Sequence, residues 1–353
     1  MEPLRIGGFT VYPFGGLMAL CAVAAFMCIA FSMKKKGLSR GTASWFAVLS
    51  VPLCFIFARL LYCLSMLDQI IGYDDYGMVF RFSEGGFMLW GAIVGGIIAA
   101  LLTARITRQS AWTILDSSVV SACLLIAAGR LICGLSMKDV GTGMGLSDWF
   151  NTEWVEDPEM NRFSLFALED YRFFERLPFA VKNFYDEWCW AVFVPECLWA
   201  LITAVCVYRY KAEHGGKTLL FITMYSCGQI LLESMLHGEV VYLPWLGFVK
   251  CNQVLCAVAL LVVAIICLHR MPWEAQVRWS GRTAVQFFPA VMIIVAMEFA
   301  VIEKKISLIQ SWPADVCHLI MAGACIWLGI TVFRLIQARK KIFEFFSKKV
   351  LTP

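Results

Sequence analysis

The sequence is poor in charge and poorer still in histidine: Asp, Glu, Lys and Arg make up 16% of its 353 residues, and there are four histidines. So little polar surface cannot clothe a soluble globule of this length. Several motifs of soluble enzymes are also missing: there is no H-E-x-x-H, no nucleophile elbow, no P-loop and no paired C-x-x-C. With no cysteine and histidine spacing of the kind that binds zinc, no metal or organic cofactor is implied. Low-complexity linkers, solenoid repeats and the inverted repeats of many transporters are absent too. The formal net charge of +4 gives no nucleic-acid surface.

What the chain has is 60% hydrophobic residues and a mean hydropathy of +0.72. A helix crosses the hydrocarbon with about 20 apolar residues. Nine stretches qualify: 11–32, 44–67, 86–104, 112–136, 188–208, 217–236, 250–268, 284–302 and 316–337. The expected fold is therefore an all-α polytopic membrane protein. The first run is followed by Lys34-Lys35-Lys36, the reverse of a cleavable signal peptide, and reads as a retained helix. Most of the 15 cysteines lie inside apolar runs, where a free thiol behaves as a small hydrophobe.

Alternate loops carry the bases: Lys34–Lys36 with Arg40, Arg105 with Arg108, Arg209 with Lys211 and Lys217, His269 to Arg282, and the tail Arg339-Lys340-Lys341. The others carry acids, most densely between Asp139 and Glu187. The positive-inside rule then sets the N-terminus outside and the C-terminus in the cytoplasm. Residues 1–137 and 188–272 form the expected transmembrane core, and 138–187 an extracytoplasmic head loop. Residues 283–353 form an appended helix pair with a basic tail. The head loop is rich in acids and aromatics, and reads either as a small head with interfacial helices or as a folded cover over helix ends.

A charged side chain near the bilayer centre costs at least about 2.5 to 3.5 kcal/mol, so each one marks a functional site or a structural partner. Arg59, Asp116, Arg130, Glu196 and Glu233 stand out. Gly129 beside Arg130 permits close approach by a backbone or a ligand, which suits a lipid phosphate gripped by a guanidinium fork. The alternative is an ion pair of Arg130 with Glu233 or Glu196. Asp116, near the cytoplasmic edge, suits a helix N-terminus. Gly91, Gly95 and Gly96 suit close helix packing, and Gly85-Gly86 either that or a re-entrant backbone. His237, at the outer end of the sixth span, is the histidine placed for chemistry, or else a polar residue of the interface.

The order of these features resembles the bacterial prolipoprotein diacylglyceryl transferase family. The likeness covers roughly residues 6–270 and rests on Ile6-Gly7 with Phe14-Gly15, Arg59 with Tyr62, and Glu84-Gly85-Gly86 leading to Gly91. It continues through Asp116, Gly129-Arg130-Leu131 with Gly141 beyond, Glu196, Tyr225 with Glu233, and Gln253. The resemblance implies a seven-helix core in a bacterial plasma membrane that moves diacylglyceryl from phosphatidylglycerol, or a similar phospholipid, to the cysteine of a prolipoprotein signal sequence. It makes Arg130 the essential arginine on the phospholipid head group, with Gly129 and Gly141 in the same signature loop and Glu233 the sixth-helix glutamate. Arg59, Glu196, Gln229 and Gln253 would lie around the central cavity.

Four positions depart from the family pattern. Its histidine falls on Trp90, its asparagine after Gly-Arg-Leu on Cys133, its sixth-helix arginine on Gln229 and its first-helix tyrosine on Phe14. Transfer to a thiol requires a base and stabilisation of the departing glycerol phosphate, and these departures remove one base and one guanidinium. Three readings follow. One is a divergent transferase in which Arg130 supplies the electrostatics and His237 or Glu233 the base. The second is a related enzyme with another lipid or nucleophile. The third is a non-catalytic phospholipid- or lipoprotein-binding relative in which Trp90 fills the pocket.

Overall fold

The computed structural model describes residues 4–6, 9–11, 13–74, 76–82, 86–136, 146–147, 180–182, 188–212, 215–235, 242–243, 246–269, 271–303 and 314–351. Gly141, His237 and the Glu84-Gly85 pair lie outside them. Among the described residues the architecture is all-α. The helices are α1 (Pro13–Lys35), α2 (Arg40–Ser65), the short α3 (Leu67–Gly72), α4 (Leu89–Thr107), α5 (Ala111–Ser136), α6 (Phe193–Arg209), α7 (Gly216–Ser234), α8 (Cys251–His269), α9 (Trp273–Glu303) and α10 (Ala314–Leu351). Seven of them are long and apolar enough to cross a membrane, so the chain is a multi-pass membrane protein. Their large apolar side chains face outward, for example Leu20, Met27 and Phe31 of α1, Val262 and Ile265 of α8, and Phe288 of α9. The charged groups discussed below point inward.

Small antiparallel ladders occupy the connections. β1 (Leu4–Ile6) pairs with β2 (Phe9–Val11), and β6 (Tyr242–Leu243) with β7 (Leu246–Lys250). In the head region β5 (Trp188–Ala191) lies between β3 (Leu146–Ser147) and β4 (Ala180–Lys182). The fifth apolar stretch thus begins as a strand, and α6 starts only at Phe193. At 17 residues and about 1.5 Å per residue, α6 reaches ~26 Å, just under the hydrocarbon thickness.

The sixth stretch becomes α7, which is polar for a spanning helix because it does not face lipid. Its residues are buried on all sides, Thr218, Thr223, Ser226, Gln229 and Glu233 among them. α5, α6, α8 and α10 surround it. Leu220, Tyr225, Cys227 and Ile230 of α7 share one apolar core with Cys256, Leu260 and Val263 of α8 and with Met321, Leu328 and Leu335 of α10. Gly329 of α10 brings the two helices close: a β-carbon there would stand 3.3 Å from the Cys227 sulfur. The C-terminal helices therefore complete the enclosure of α7.

A second core joins Ile29 and Met33 of α1, Phe46 of α2, Ala99, Ala100 and Ala104 of α4, and Ile114 of α5. Here Gly91 and Gly95 face the α2 backbone. A β-carbon at Gly91 would overlap the Phe57 carbonyl, and one at Gly95 would lie 2.5 Å from the Leu53 oxygen. This is small-residue helix packing. Gly96 has only ordinary contact, 3.7 Å from the Cys54 sulfur. α9 begins at Trp273, well before the apolar run that starts at 284. Pro272, whose carbonyl accepts from the Gln276 N–H at 2.8 Å, starts the helix at the boundary, and the helix runs through Gly281 into the apolar residues without a break.

Candidate active site

Arg130 lies in the last two turns of α5, where its side chain is 27% exposed. Its Nη2 is 3.3 Å from Oε1 of Glu196, a buried carboxylate in the first turn of α6. Of the two partners the sequence allows, the ion pair selects Glu196. The Tyr225 side chain also faces the guanidinium. One turn further along α7, Gln229 Nε2 donates to Glu196 Oε1 at 3.0 Å and to Glu233 Oε2 at 3.1 Å. The other Glu233 oxygen accepts from Asn252 Nδ2 at 3.1 Å. A continuous polar chain thus runs from α5 through α6 and α7 to α8, with Glu196 and Glu233 both 4% exposed. It works because Gln229 and Glu233 are four residues apart and so share one helix face.

The two carboxylates differ in partner. Glu196 is paired with a guanidinium, whereas both side-chain oxygens of Glu233 accept from neutral amides. Lys250, at the end of β7, approaches Glu233 from the main-chain side: its Nζ donates to the Glu233 carbonyl at 2.5 Å and to the Ser234 carbonyl at 3.3 Å. It thereby satisfies C-terminal carbonyls of α7 that have no partner within the helix. Gln253 is one step further out. Its Oε1 accepts from the Lys250 N–H at 3.2 Å and its Nε2 donates to the Ile230 carbonyl at 3.3 Å, tying the start of α8 to α7.

Trp90, where the resemblance sets the family histidine, is 6% exposed in the first turn of α4. Its ring meets Tyr225 edge-on with centroids 5.7 Å apart, and Tyr225 stacks on Phe221 at 5.8 Å. The indole N–H finds no acceptor of good geometry among the described residues, the Cys256 sulfur being the polar atom near it. The indole is therefore a wall behind the tyrosine that faces Arg130. Gly129 is approached by Met18 of α1, whose Cε would stand 3.4 Å from a β-carbon there.

Arg59 has a separate set of partners. Its guanidinium donates to the carbonyls of Val79 (3.3 Å), Gly86 (3.0 Å), Arg81 (3.2 Å) and Met78, and lies within 6 Å of the Tyr62, Phe82 and Phe87 rings. It fastens the connection between α2 and α4. Gly86 makes this possible: its φ is +75°, and a β-carbon there would stand 2.5 Å from Arg59 Nη1. Asp116 does sit at a helix N-terminus, but at that of α7: Oδ2 accepts from the Gly215 N–H at 2.9 Å, and Oδ1 from the Thr218 N–H at 2.9 Å and its hydroxyl at 2.7 Å.

Of the sequence-derived candidates, Arg130, Glu196, Gln229 and Glu233 form one network. Trp90 joins it through Tyr225, and Gln253 through Lys250. Asn252, Lys250 and Glu298 are additions. Glu298 carries the same signal that marks Arg130, an ionisable residue inside an apolar run, Ala296-Met297-Glu298-Phe299-Ala300. Lys250 and Asn252 open a span, where polar residues are common, and carry no such signal.

A family model described as prolipoprotein diacylglyceryl transferase matches residues 3–269, from the first hairpin to the end of α8. Similar relatives include proteins called phosphatidylglycerol–prolipoprotein diacylglyceryl transferase from three organisms. That of Halalkalibacterium halodurans is 26% identical over 235 residues, 66% of this chain and 74% of the relative. That of Oceanobacillus iheyensis is 22% identical over 268 residues (76% and 86%), and that of Thermotoga maritima 24% over 263 residues (73% and 80%).

Proposed function

Because the chain belongs to the prolipoprotein diacylglyceryl transferase family, we propose that it moves the diacylglyceryl group of phosphatidylglycerol, or a similar phospholipid, onto the cysteine thiol of a lipoprotein precursor. The observation that carries this reading is the polar chain Arg130–Glu196–Gln229–Glu233–Asn252, enclosed at one end of an otherwise apolar bundle. In the transfer step the cysteine sulfur attacks the glyceryl carbon that bears the phosphate ester. The S–C bond forms as the C–O bond breaks, and the electron pair departs with the phosphate oxygen as glycerol phosphate. The thiol proton goes to Glu233.

Arg130 suits the leaving phosphate. A guanidinium has five N–H donors, so donors remain for phosphate oxygens after Glu196 is served, and the side chain keeps a 27% exposed face. Preorganised donors aimed at developing charge are worth about 10²–10³ in rate. Glu233 suits the proton. Both of its oxygens are held by neutral amides and neither is committed to a guanidinium, which distinguishes it from Glu196. In a bacterial plasma membrane, with the N-terminus outside and the C-terminus cytoplasmic, this end of the bundle faces the outer leaflet. An exported precursor's signal sequence meets the phospholipid there.

The buried indole of Trp90 supports a second reading, a relative that holds phospholipid or precursor without turnover. One assay separates the two: transfer of labelled diacylglycerol from phosphatidylglycerol to a lipobox peptide by the purified protein, with Arg130→Ala alongside. Transfer that disappears in the variant is the expected result. No transfer by the natural protein, with phosphatidylglycerol still bound, would favour the second reading.

A further inference from the structure

The last turn of α7, which carries Glu233, is gripped by a helix beyond the residues that the family model matches. The hydroxyl of Ser234, the residue after Glu233, is 3.1 Å from Nε2 of His318 in the second turn of α10. Both side chains are buried, Ser234 at 1% exposure and His318 at 3%. Glu298 of α9 faces the same serine. Towards the other end of α10, Lys340 Nζ donates to the Lys211 carbonyl at 2.7 Å and lies over the Tyr210 ring, while Arg339 lies over the Trp112 ring. From residue 318 to residue 340 a helix rises about 33 Å, so α10 is fastened to the core near both ends of α7.

We propose that His318 is a positioning residue of the active site, which acts through Ser234 to set the rotation of the last turn of α7 and with it the place of the Glu233 carboxylate. Successive side chains leave a helix about 100° apart around its axis, so Ser234 meets α10 while Glu233 bonds Gln229 and Asn252. A helix end is held weakly by its own bonds, because its last four carbonyls have no partner within it. Lys250 and Gln253 take carbonyls of this turn, which point along the axis, and constrain rotation about it little. The serine bond grips the turn by a side chain. The inference rests on the reading of Glu233 as the group that takes the thiol proton.

Side chains reach about 5–6 Å from a helix axis, so a rotation of about 10° moves a carboxylate by about 1 Å. A misplacement of that size costs up to about 10² in rate. The phosphate end of the site stands on other elements, Arg130 on α5 and Glu196 on α6. Loss of the His318 bond therefore lowers kcat and leaves KM for phosphatidylglycerol in place. The helices beyond the family match are in this way a working part of the catalytic unit.

The test is diacylglyceryl transfer by the full-length protein in phosphatidylglycerol bilayers, with kcat expressed per folded protein. His318→Phe keeps a ring and removes both nitrogens, and Ser234→Ala removes the hydroxyl. Each is expected to lower kcat by about tenfold with KM for phosphatidylglycerol little changed. The double variant H318F/S234A is expected to fall no further than either alone, because the same bond is lost in all three. His318→Gln, whose amide donates and accepts and so serves Ser234 whichever way the bond runs, is expected to stay within about threefold of the natural rate. Lys340→Gln loosens the other end of α10 and is expected to lower the unfolding temperature without changing kcat. An unchanged kcat in H318F or S234A, losses that multiply in the double variant, a glutamine that restores nothing, or an equal loss in K340Q overturns the proposal and leaves the bond as packing alone. Ser234→Ala removes a single oxygen and decides by itself if the histidine variant fails to fold. Absence of transfer by the natural protein overturns instead the function on which the proposal rests.

Discussion

Replacing Arg130 by alanine removes the cation 3.3 Å from the Glu196 carboxylate and strands that carboxylate at 4% exposure. Breaking a buried pair from one side costs about 3–5 kcal/mol. Gln229 Nε2 still donates to Glu196, which sets the expectation at the lower end, about 3 kcal/mol. Transfer should fall for a separate reason, loss of the charge that meets the departing phosphate, by about 10²–10³. The double variant R130A/E196Q separates the two effects. It leaves no stranded charge, so thermal stability in detergent should return to within about 1 kcal/mol of the natural protein, while transfer stays as low as in the single variant. The assays are thermal unfolding of the purified protein and initial rates with labelled phosphatidylglycerol. Recovery of both stability and transfer in the double variant would refute the reasoning and leave Arg130 as a counter-ion with no part in the chemistry.

Asp116→Ala should remove three hydrogen bonds of 2.7–2.9 Å from the start of α7 and strand two backbone N–H groups. At about 1–3 kcal/mol each, this lowers stability by about 3 kcal/mol, to be read as a fall in the unfolding temperature. Gly95→Val should force α2 from α4, because its β-carbon would start 2.5 Å from the Leu53 carbonyl oxygen; the check is the yield of folded protein from membranes. Arg59→Lys should cost about 2 kcal/mol, since a single ammonium cannot reproduce a fork that serves four carbonyls. Transfer measured well below the unfolding temperature should then change less than stability; a change confined to KM for phosphatidylglycerol would instead place Arg59 on the lipid.

Much of the site was legible from cost alone. An ionisable residue inside an apolar run is expensive wherever the helix turns it, so Arg130, Glu196 and Glu233 could be singled out without knowing what they touch. Glu298 carries the same mark. Lys250 and Asn252 do not, because the start of a span is where polar residues ordinarily collect. The role of Gln229 was visible only as a departure from the family pattern; that its amide bridges two carboxylates depends on where α6 lies beside α7. Asp116 was legible as a residue for a helix N-terminus, yet the helix it caps begins 100 residues later in the chain.

By itself the sequence determined that the chain lives in a membrane, where most of its helices run, and which loops carry the bases. These properties are sums over single residues against a uniform solvent, and a sum needs no partner. Tertiary structure decided that Arg130 pairs with Glu196 and leaves Glu233 to two amides, that α7 is enclosed on every side, and that α10 reaches the end of α7 through His318 and Ser234. The Glu196–Gln229 bond spans 33 residues, and the Ser234–His318 bond spans 84. In low dielectric an ion pair or hydrogen bond depends steeply on distance and direction, and only the packing of one helix against another sets either.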